Sequence, residues 1–559
     1  MAPMNFKSVV PGMAVNSRRL AAALLCAWGT VAALSACAVG PDFKRPPAPA
    51  ASGYGSASVP QATASADVGG TTNAGGAGGS GDAGGAGGAG GAGGAANVGG
   101  AADVGGLVEH NDAAELVGGD AQRFVAGMDI PGQWWTLYQS PPLTRLVEQA
   151  LKANPNVAAA EAALRQAHEL YSAQWTSYFP VVQGNFNAAR SEFPTSTLTS
   201  PTVGSSSTYS LYTAQLSLSY APDVFGLTRR TLEVARAQVE SSRFQLQAVE
   251  LTLSSNVVVT AMQEASLRAQ IAATERLLEL QQQMTDMVRG QRALGTASDL
   301  DVLAQQSAQA QTAQTLPPLQ KALGQTRDAL TALLGRLPSE EPQETFRLEQ
   351  LTLPTELPVS LPSRLVEQRP DVRQAEENLH AASAAVGVAL ADMLPQFSID
   401  AGLGSSALKL RDLFTPYTGF WTIGASLTQT LFDAGELLHR RRAADAALDQ
   451  AAAQYRATVI LACQNVADTL RALQADADAL QASVAADRAA RMTFELARRQ
   501  AELGTISMVA VLNAEQAYRQ AELAMVQAQA NRYADTAALF QALGGGWWNR
   551  PQGTPPSTH

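Results

Sequence analysis

The sequence predicts a mainly α-helical protein with a β-barrel portion, assembled from two copies of one structural unit. Three observations lead there. The stretches Leu227 to Arg289 and Glu436 to Leu503 contain neither glycine nor proline. Short segments alternate strictly between apolar and polar side chains. Identical residues also recur at a nearly constant offset through the region that follows residue 150.

Composition sets the bounds. The chain has 559 residues, 46% hydrophobic and only 6% aromatic, with Ala and Gln abundant, which favours helix. A formal net charge of −10 offers no basic patch for phosphates and excludes a nucleic-acid partner. The histidines (His110, His168, His380, His439, His559) show no metal-ligand spacing. There is no nucleophile motif, and the glycines of 69–106 form a Gly/Ala tract rather than a phosphate loop. No catalysis, metal or dissociable cofactor is expected.

The N-terminus reads as an export signal over 1–36. Lys7, Arg18 and Arg19 lead into an apolar run from Leu20 to Ala36, too short and wrongly flanked for a membrane anchor. Met13 offers an alternative start to a signal of the same type. The run ends Leu34-Ser35-Ala36-Cys37, which resembles the bacterial lipobox. That resemblance implies diacylglycerol and an N-acyl chain on Cys37, and a lipidated segment over 37–61. Cys26 leaves with the signal, so Cys463 is the one remaining thiol and no disulfide within the chain is expected. Nothing downstream has 18 consecutive apolar residues, so a membrane-embedded mature protein needs a barrel.

Residues 62–130 read as a flexible linker. The Gly/Ala-rich part cannot bury apolar area, and as a tether of about 45 residues it spans roughly 35–40 Å. Ordered structure is expected from Trp134-Trp135 onward.

Two homologous repeats follow, 131–345 and 346–546, then a tail over 547–559. Pro155/Pro370, Val157/Val372, Glu161/Glu376, Leu164/Leu379 and Pro180/Pro395 differ by 215. Gly226/Gly435, Asn256/Asn465, Thr260/Thr469, Gly295/Gly504, Val302/Val511 and Gly335/Gly544 differ by 209. The offset changes where the first copy carries a longer Ser/Thr-rich loop, Glu192–Ser207.

Each repeat reads helix, β-hairpin, long helix, helix. Asn156 to Phe179 suits a helix. After Pro180 the period becomes two: Tyr212, Ala214, Leu216, Leu218 and Tyr220 alternate with Thr213, Gln215, Ser217 and Ser219. Phe397, Ile399, Ala401 and Leu403 do the same in the second copy. Such segments suit a barrel with a wet lumen, with a soluble hairpin as the alternative. Tyr417, Phe420 and Trp421 stand where an interfacial aromatic girdle would lie.

The helices set the scale, since a helix filling the space from Gly226 to Gly295 runs roughly 100 Å. Leu448, Ala452, Tyr455, Val459, Ala462, Val466, Thr469 and Leu473 form a coiled-coil-like seam that polar residues then break. Leu294-Gly295-Thr296 and Leu503-Gly504-Thr505 mark turns, glycine being the usual helix stop. The returns are Asp299 to Leu316, interrupted by Pro317-Pro318, and Met508 to Leu543. Four strands per chain fall short of the roughly eight a membrane barrel needs, so several chains must share one barrel.

Cys37-Ala38-Val39-Gly40-Pro41-Asp42-Phe43, Trp134-Trp135, Arg369-Pro370-Asp371-Val372 and Leu503-Gly504-Thr505, on this duplicated plan, resemble the outer-membrane factor lipoproteins of the TolC, OprM and NodT type. The resemblance covers 37–46 and about 130–546. It implies a homotrimer with a twelve-stranded transmembrane β-barrel continuous with a long periplasmic α-helical barrel. It also implies a lipid anchor in the outer membrane, a periplasmic adaptor and an inner-membrane transporter, commonly of the RND type. The two turns become the periplasmic tip, and the neighbouring Asp299, Asp301, Val509, Ala510 and Asn513 become the aperture residues. Where the family often carries a carboxylate nine residues after the second turn glycine, this chain has Asn513. Asp299 and Asp301 equally suit a helix start, where carboxylates favour the helix dipole. A duct for protein or polysaccharide and a periplasmic coiled-coil adaptor are the alternative readings.

Overall fold

The computed structural model describes residues 39–50, 53–54, 61–65, 118–192 and 208–550. The signal segment, Cys37, most of the Gly/Ala tract, most of the Glu192–Ser207 loop and the end of the tail lie outside the described residues.

Both repeats contain helix, β-hairpin, long helix, helix in the expected order, each preceded by a short strand and a further helix that the sequence reading did not include. The first runs β1 (Arg123–Ala126), α1 (Pro141–Ala153), α2 (Pro155–Trp175), β2 (Val181–Glu192), β3 (Thr208–Tyr220), α3 (Leu227–Ala293) and α4 (Asp299–Leu333). The second runs β4 (Glu356–Val359), α5 (Pro362–Gln368), α6 (Pro370–Ala391), β5 (Gln396–Ala407), β6 (Gly419–Thr428), α7 (Glu436–Glu502) and α8 (Met508–Ala542). The long helices α3 and α7 have 67 residues each, a length of about 100 Å. No helix among the described residues is long and apolar enough to cross a membrane.

The duplication reaches to single contacts. Asn154 Nδ2 donates to the Leu333 carbonyl at 2.8 Å, and at the matching place Arg369 Nη1 donates to the Ala542 carbonyl at 2.9 Å. Gly335 and Gly544 both have positive φ. A Cβ would lie 2.6 Å from the Ala153 carbonyl oxygen in one copy and 2.5 Å from that of Gln368 in the other. Glycine is required twice for one reason.

The main core sits midway along the rods. Trp134, Trp135, Tyr138, Leu143 and Leu146 pack against Val257, Val258 and Met262 of α3 and against Tyr533 and Phe540 of α8. Trp134 stacks on Phe540 with ring centroids 5.4 Å apart. The α7 seam outlasts expectation: after Leu473 it continues through buried Ala477 and Leu480.

Four expectations are corrected. Residues 39–50, 53–54, 61–65 and 118–133, all before Trp134, already belong to the described structure. The 62–130 linker is held at both ends, because residues 61–65 and 118–130 lie on the body. Thr63 N–H donates to the Gln122 carbonyl at 2.8 Å, Ala62 bridges Arg123, and β1 pairs in parallel with β4. The tract therefore leaves and returns at one place and is no spacer. The 547–559 tail starts inside the fold: Trp547 Nε1 donates to the Gln368 carbonyl, and Arg550 pairs with Glu250 at 2.6 Å. Finally, Pro317 and Pro318 lie inside an unbroken α4. Both are on the exposed side, as are Ala313 and Gln314, so water can satisfy the carbonyls that lose their donors.

Candidate functional site

The four long strands form one antiparallel sheet in the order β2-β3-β5-β6. Registry sorts its side chains by face. Gly184, Leu216, Leu403 and Trp421 stand in one row across it, and Gln183, Ser217, Gly402 and Thr422 in the next. One face is thus apolar, with Phe186, Leu216, Leu218, Phe397, Ile423 and Leu427. The other is polar and internally bonded. Asn185 donates to Ser217 at 3.1 Å, Ser219 donates to Asp400 at 2.9 Å, and Ser398 and Ser426 lie 2.7 Å apart. A large apolar sheet face left open to solvent needs a cover, and a bilayer is one. Among the described residues both outer strands, β2 and β6, end the sheet with bare edges.

At the sheet's helical end the N-terminal segment is clamped. Val39 N–H donates to the Phe225 carbonyl at 3.2 Å. Arg230, almost fully buried, donates to the carbonyls of Val39 and Gly40 and pairs with Asp42 and Glu233, each at 2.8 Å. Phe43 stacks on His380 with centroids 4.4 Å apart. Sequence reasoning missed Arg230, because an arginine near a helix start carries no sign that a distant segment will reach it.

The opposite end is built from the two turns. Met284, Phe494, Ala497, Val511 and Ala514 form a second apolar cluster, which brings the hairpins α3–α4 and α7–α8 together at one tip. The turns match atom for atom. Thr296 N–H and Oγ1 both donate to the Gln291 carbonyl at 2.9 Å, and Thr505 does the same to Gln500. Gly295 and Gly504 hold φ of +78° and +71°, which an L side chain rarely adopts. The geometry thrusts Leu294 and Leu503 outward at 82% and 79% exposure. Leu300, Leu303 and Val509 extend this apolar surface.

The two copies differ in the turn that follows. Asp301 closes a capping box with Ser298: its carboxylate accepts from the Ser298 N–H at 2.9 Å, and its own N–H donates to Ser298 Oγ. The Ser298 hydroxyl, which donates to the same carboxylate at 2.7 Å, and the Ser298 N–H together hold that carboxyl below the usual carboxylate range. Asp299 pairs with Arg292. Ala510 occupies the equivalent of Asp301, and Ser507 has no side-chain cap bond. Asp299, Val509, Ala510 and Asn513 are exposed. Asn513 borders a cavity of about 80 Å³ together with Gln281, Glu515 and Arg519.

Behind that cavity lies a polar belt that the sequence did not reveal. Gln281 Nε2 donates to Thr312 Oγ1 at 3.0 Å, and Arg519 Nη1 donates to the same oxygen at 2.8 Å. Burial pushes the Glu515 carboxyl up, while Gln281 and Arg519 pull it back. Among the described residues no cluster could hold a metal ion.

With this geometry in view, the comparisons are specific. The family model described as outer membrane efflux protein matches residues 146–336 and 361–545, one stretch in each repeat. The pyoverdine export outer membrane protein OpmQ of Pseudomonas putida is 30% identical, over 75% of this chain and 89% of its own. The toluene efflux pump outer membrane protein TtgC of Pseudomonas putida is 27% identical, over 75% of this chain and 86% of its own. The solved outer-membrane channel OprN is 30% identical with a TM-score of 0.71, covering 75% of this chain and 93% of that one. A two-faced sheet, a paired helical shaft and a repeat-by-repeat family match converge: the chain belongs to the outer membrane efflux protein family and is an outer-membrane channel component of an efflux system.

Proposed function

We propose that three copies close a single twelve-stranded barrel in the outer membrane, continued by a periplasmic helical tunnel. Small molecules pass outward through it passively, without catalysis by this chain. The observation that carries this reading is the sheet with one apolar face, one polar face and two bare edges, standing on rods of about 100 Å. One chain cannot close a barrel with four strands, and three supply twelve.

The anchor is diacylglycerol and an N-acyl chain on Cys37. Val39 is fixed beside Phe225 at the base of the sheet, and two residues of chain reach at most about 7 Å from there. The lipid thus emerges at the membrane surface facing the helices. At the far end, the Leu-Gly-Thr turns with Leu294 and Leu503 form an apolar docking surface for a periplasmic adaptor, which links the duct to an inner-membrane transporter of the RND type. Asp299, Asp301, Val509, Ala510 and Asn513 surround the aperture. Relatives named for pyoverdine export and toluene efflux favour small organic molecules as cargo.

The test is complementation. A strain lacking its outer-membrane efflux component, and supplied with this chain plus the adaptor and pump encoded beside it, should regain resistance to that pump's substrates. Full resistance without this chain, or none with all three, would overturn the reading.

A further inference from the structure

The polar face of the sheet carries one charged side chain, and its surroundings leave that charge uncovered. We propose that Asp400 makes the barrel charge-selective, easing the passage of cationic small molecules over anionic ones of the same size. This rests on the barrel reading above and deepens it.

Registry sorts the candidates. Counting in steps of two from Gln183, Ser217, Gly402 and Thr422, the polar face of the four strands holds Asp400 as its one Asp, Glu, Lys or Arg. Arg190 and Glu192 of β2 fall on the apolar face, in step with Phe186. The loop that carries Lys409 and Arg411 is tied to that apolar side too, where Ser405 donates to the Leu413 carbonyl. Among the described strand residues, no cation shares the face of Asp400.

Hydroxyls, not a countercharge, hold this carboxylate. Ser219 of β3 donates to one oxygen at 2.9 Å, and Ser398 donates to the other at 3.0 Å. With that proton committed, Ser398 accepts from Ser426 of β6 at 2.7 Å, so three strands fix one group. The positions that would shield it are glycines. Gly402 is the next residue of β5 on this face, and Gly424 is the partner of Asp400 across β6. A Cβ on Gly424 would meet no atom within 4 Å, so the space in front of it is open. A fixed, uncovered charge attracts cations and repels anions over about a Debye length, roughly 10 Å in 0.1 M salt. Threefold symmetry repeats it at one level of the wall, about 14 Å above the start of β5 at Gln396.

The experiment reads the field where it acts. In the full-length chain with Cys463→Ala, Gly424→Cys places a thiol opposite Asp400, with Cβ atoms about 4.5–5.5 Å apart. Thr422→Cys, one row farther out, serves should that variant not assemble. Protein in liposomes is treated with a cationic and with an anionic methanethiosulfonate, neither of which crosses a membrane, and each rate is followed by mass spectrometry. The ratio of the two rates cancels any change in the reactivity of the thiol itself. Asp400→Asn should lower the ratio of cationic to anionic rate about fourfold in 0.1 M salt, and more in 0.01 M. Asp400→Glu, which keeps the charge, should keep most of the ratio. Equal ratios with and without Asp400→Asn would overturn the proposal and leave the duct intact. A thiol that neither reagent reaches until the protein is denatured would remove the open lumen, and the barrel reading with it.

Discussion

Arg532, in the C-terminal half of α8, donates to Thr63 Oγ1 at 3.2 Å across 469 positions of sequence. The same guanidinium donates to the Gly118 carbonyl at 2.8 Å and to that of Asp120, while Gln122 reaches across to Thr536. One fully buried side chain thereby pins both ends of the Gly/Ala tract to the rod. Replacing Arg532 with Ala strands several buried carbonyls and should cost about 3 kcal/mol. The lowered melting temperature should come with faster proteolysis at 118–126. An unchanged melting curve would mean that the clasp contributes nothing to stability.

The clasp also fixes what the tract can do. Because its ends already lie side by side, deleting residues 67–106 leaves enough chain to close the loop. Trimer yield and export should stay close to those of the parent. A loss of assembly comparable to a core deletion would contradict this.

A second arginine holds the other end of the N-terminal segment. Arg230→Ala leaves Asp42 and Glu233 without their partner and frees the carbonyls of Val39 and Gly40. Removing one member of a buried pair costs roughly 3–5 kcal/mol, and the exposed part of this cluster should bring the loss to the low end. Limited proteolysis near residue 45 should speed up while lipid attachment, read by mass spectrometry of the mature N-terminus at Cys37, is retained. Equal cleavage rates in parent and variant would argue against the clamp.

At the tip, Asp299→Asn with Asp301→Asn should lower cation preference in planar-bilayer recordings. Like charges brought together by threefold symmetry repel by on the order of 1 kcal/mol per close pair in water. Val509→Gly should raise basal conductance and sensitise cells to bulky antibiotics. Recordings indistinguishable from the parent in both variants would move the aperture to other residues.

Farther up the rods, burial and the facing Asp535 push the Asp476 carboxyl up to about 7. The neighbouring Arg532 spends its hydrogen bonds on the clasp. A carboxyl whose folded pKa exceeds its unfolded value contributes full stability in acid, below about pH 4, and loses it as pH rises through 7. Asp535→Asn removes the repulsion. It should raise stability at pH 8 by on the order of 1 kcal/mol, allowing for the screening of a half-exposed pair, and leave pH 4 unchanged. Thermal unfolding at the two pH values checks the sign.

What was legible in the sequence follows a physical pattern. Alternation revealed β3 and β5, and with them the hairpins that contain β2 and β6, because a wall with oil on one side and water on the other must repeat every two residues. The tip turns were legible because a left-handed position needs glycine, and Leu-Gly-Thr occurs twice. The four-residue strands β1 and β4 are too short to carry a period, and their partners are each other. Arg230, Arg532 and the belt around Glu515 act through contacts between distant segments, which leave no local trace. Pro317-Pro318 looked like a stop because sequence does not show which side of a rod faces water.

The central claim is that this chain forms a threefold duct, and the most direct measurement is electron cryo-microscopy of the detergent-extracted protein. Particles should show threefold symmetry, with a detergent-belted end and a hollow shaft of about 100 Å. Single chains, or a symmetric particle with no central passage, would contradict the account.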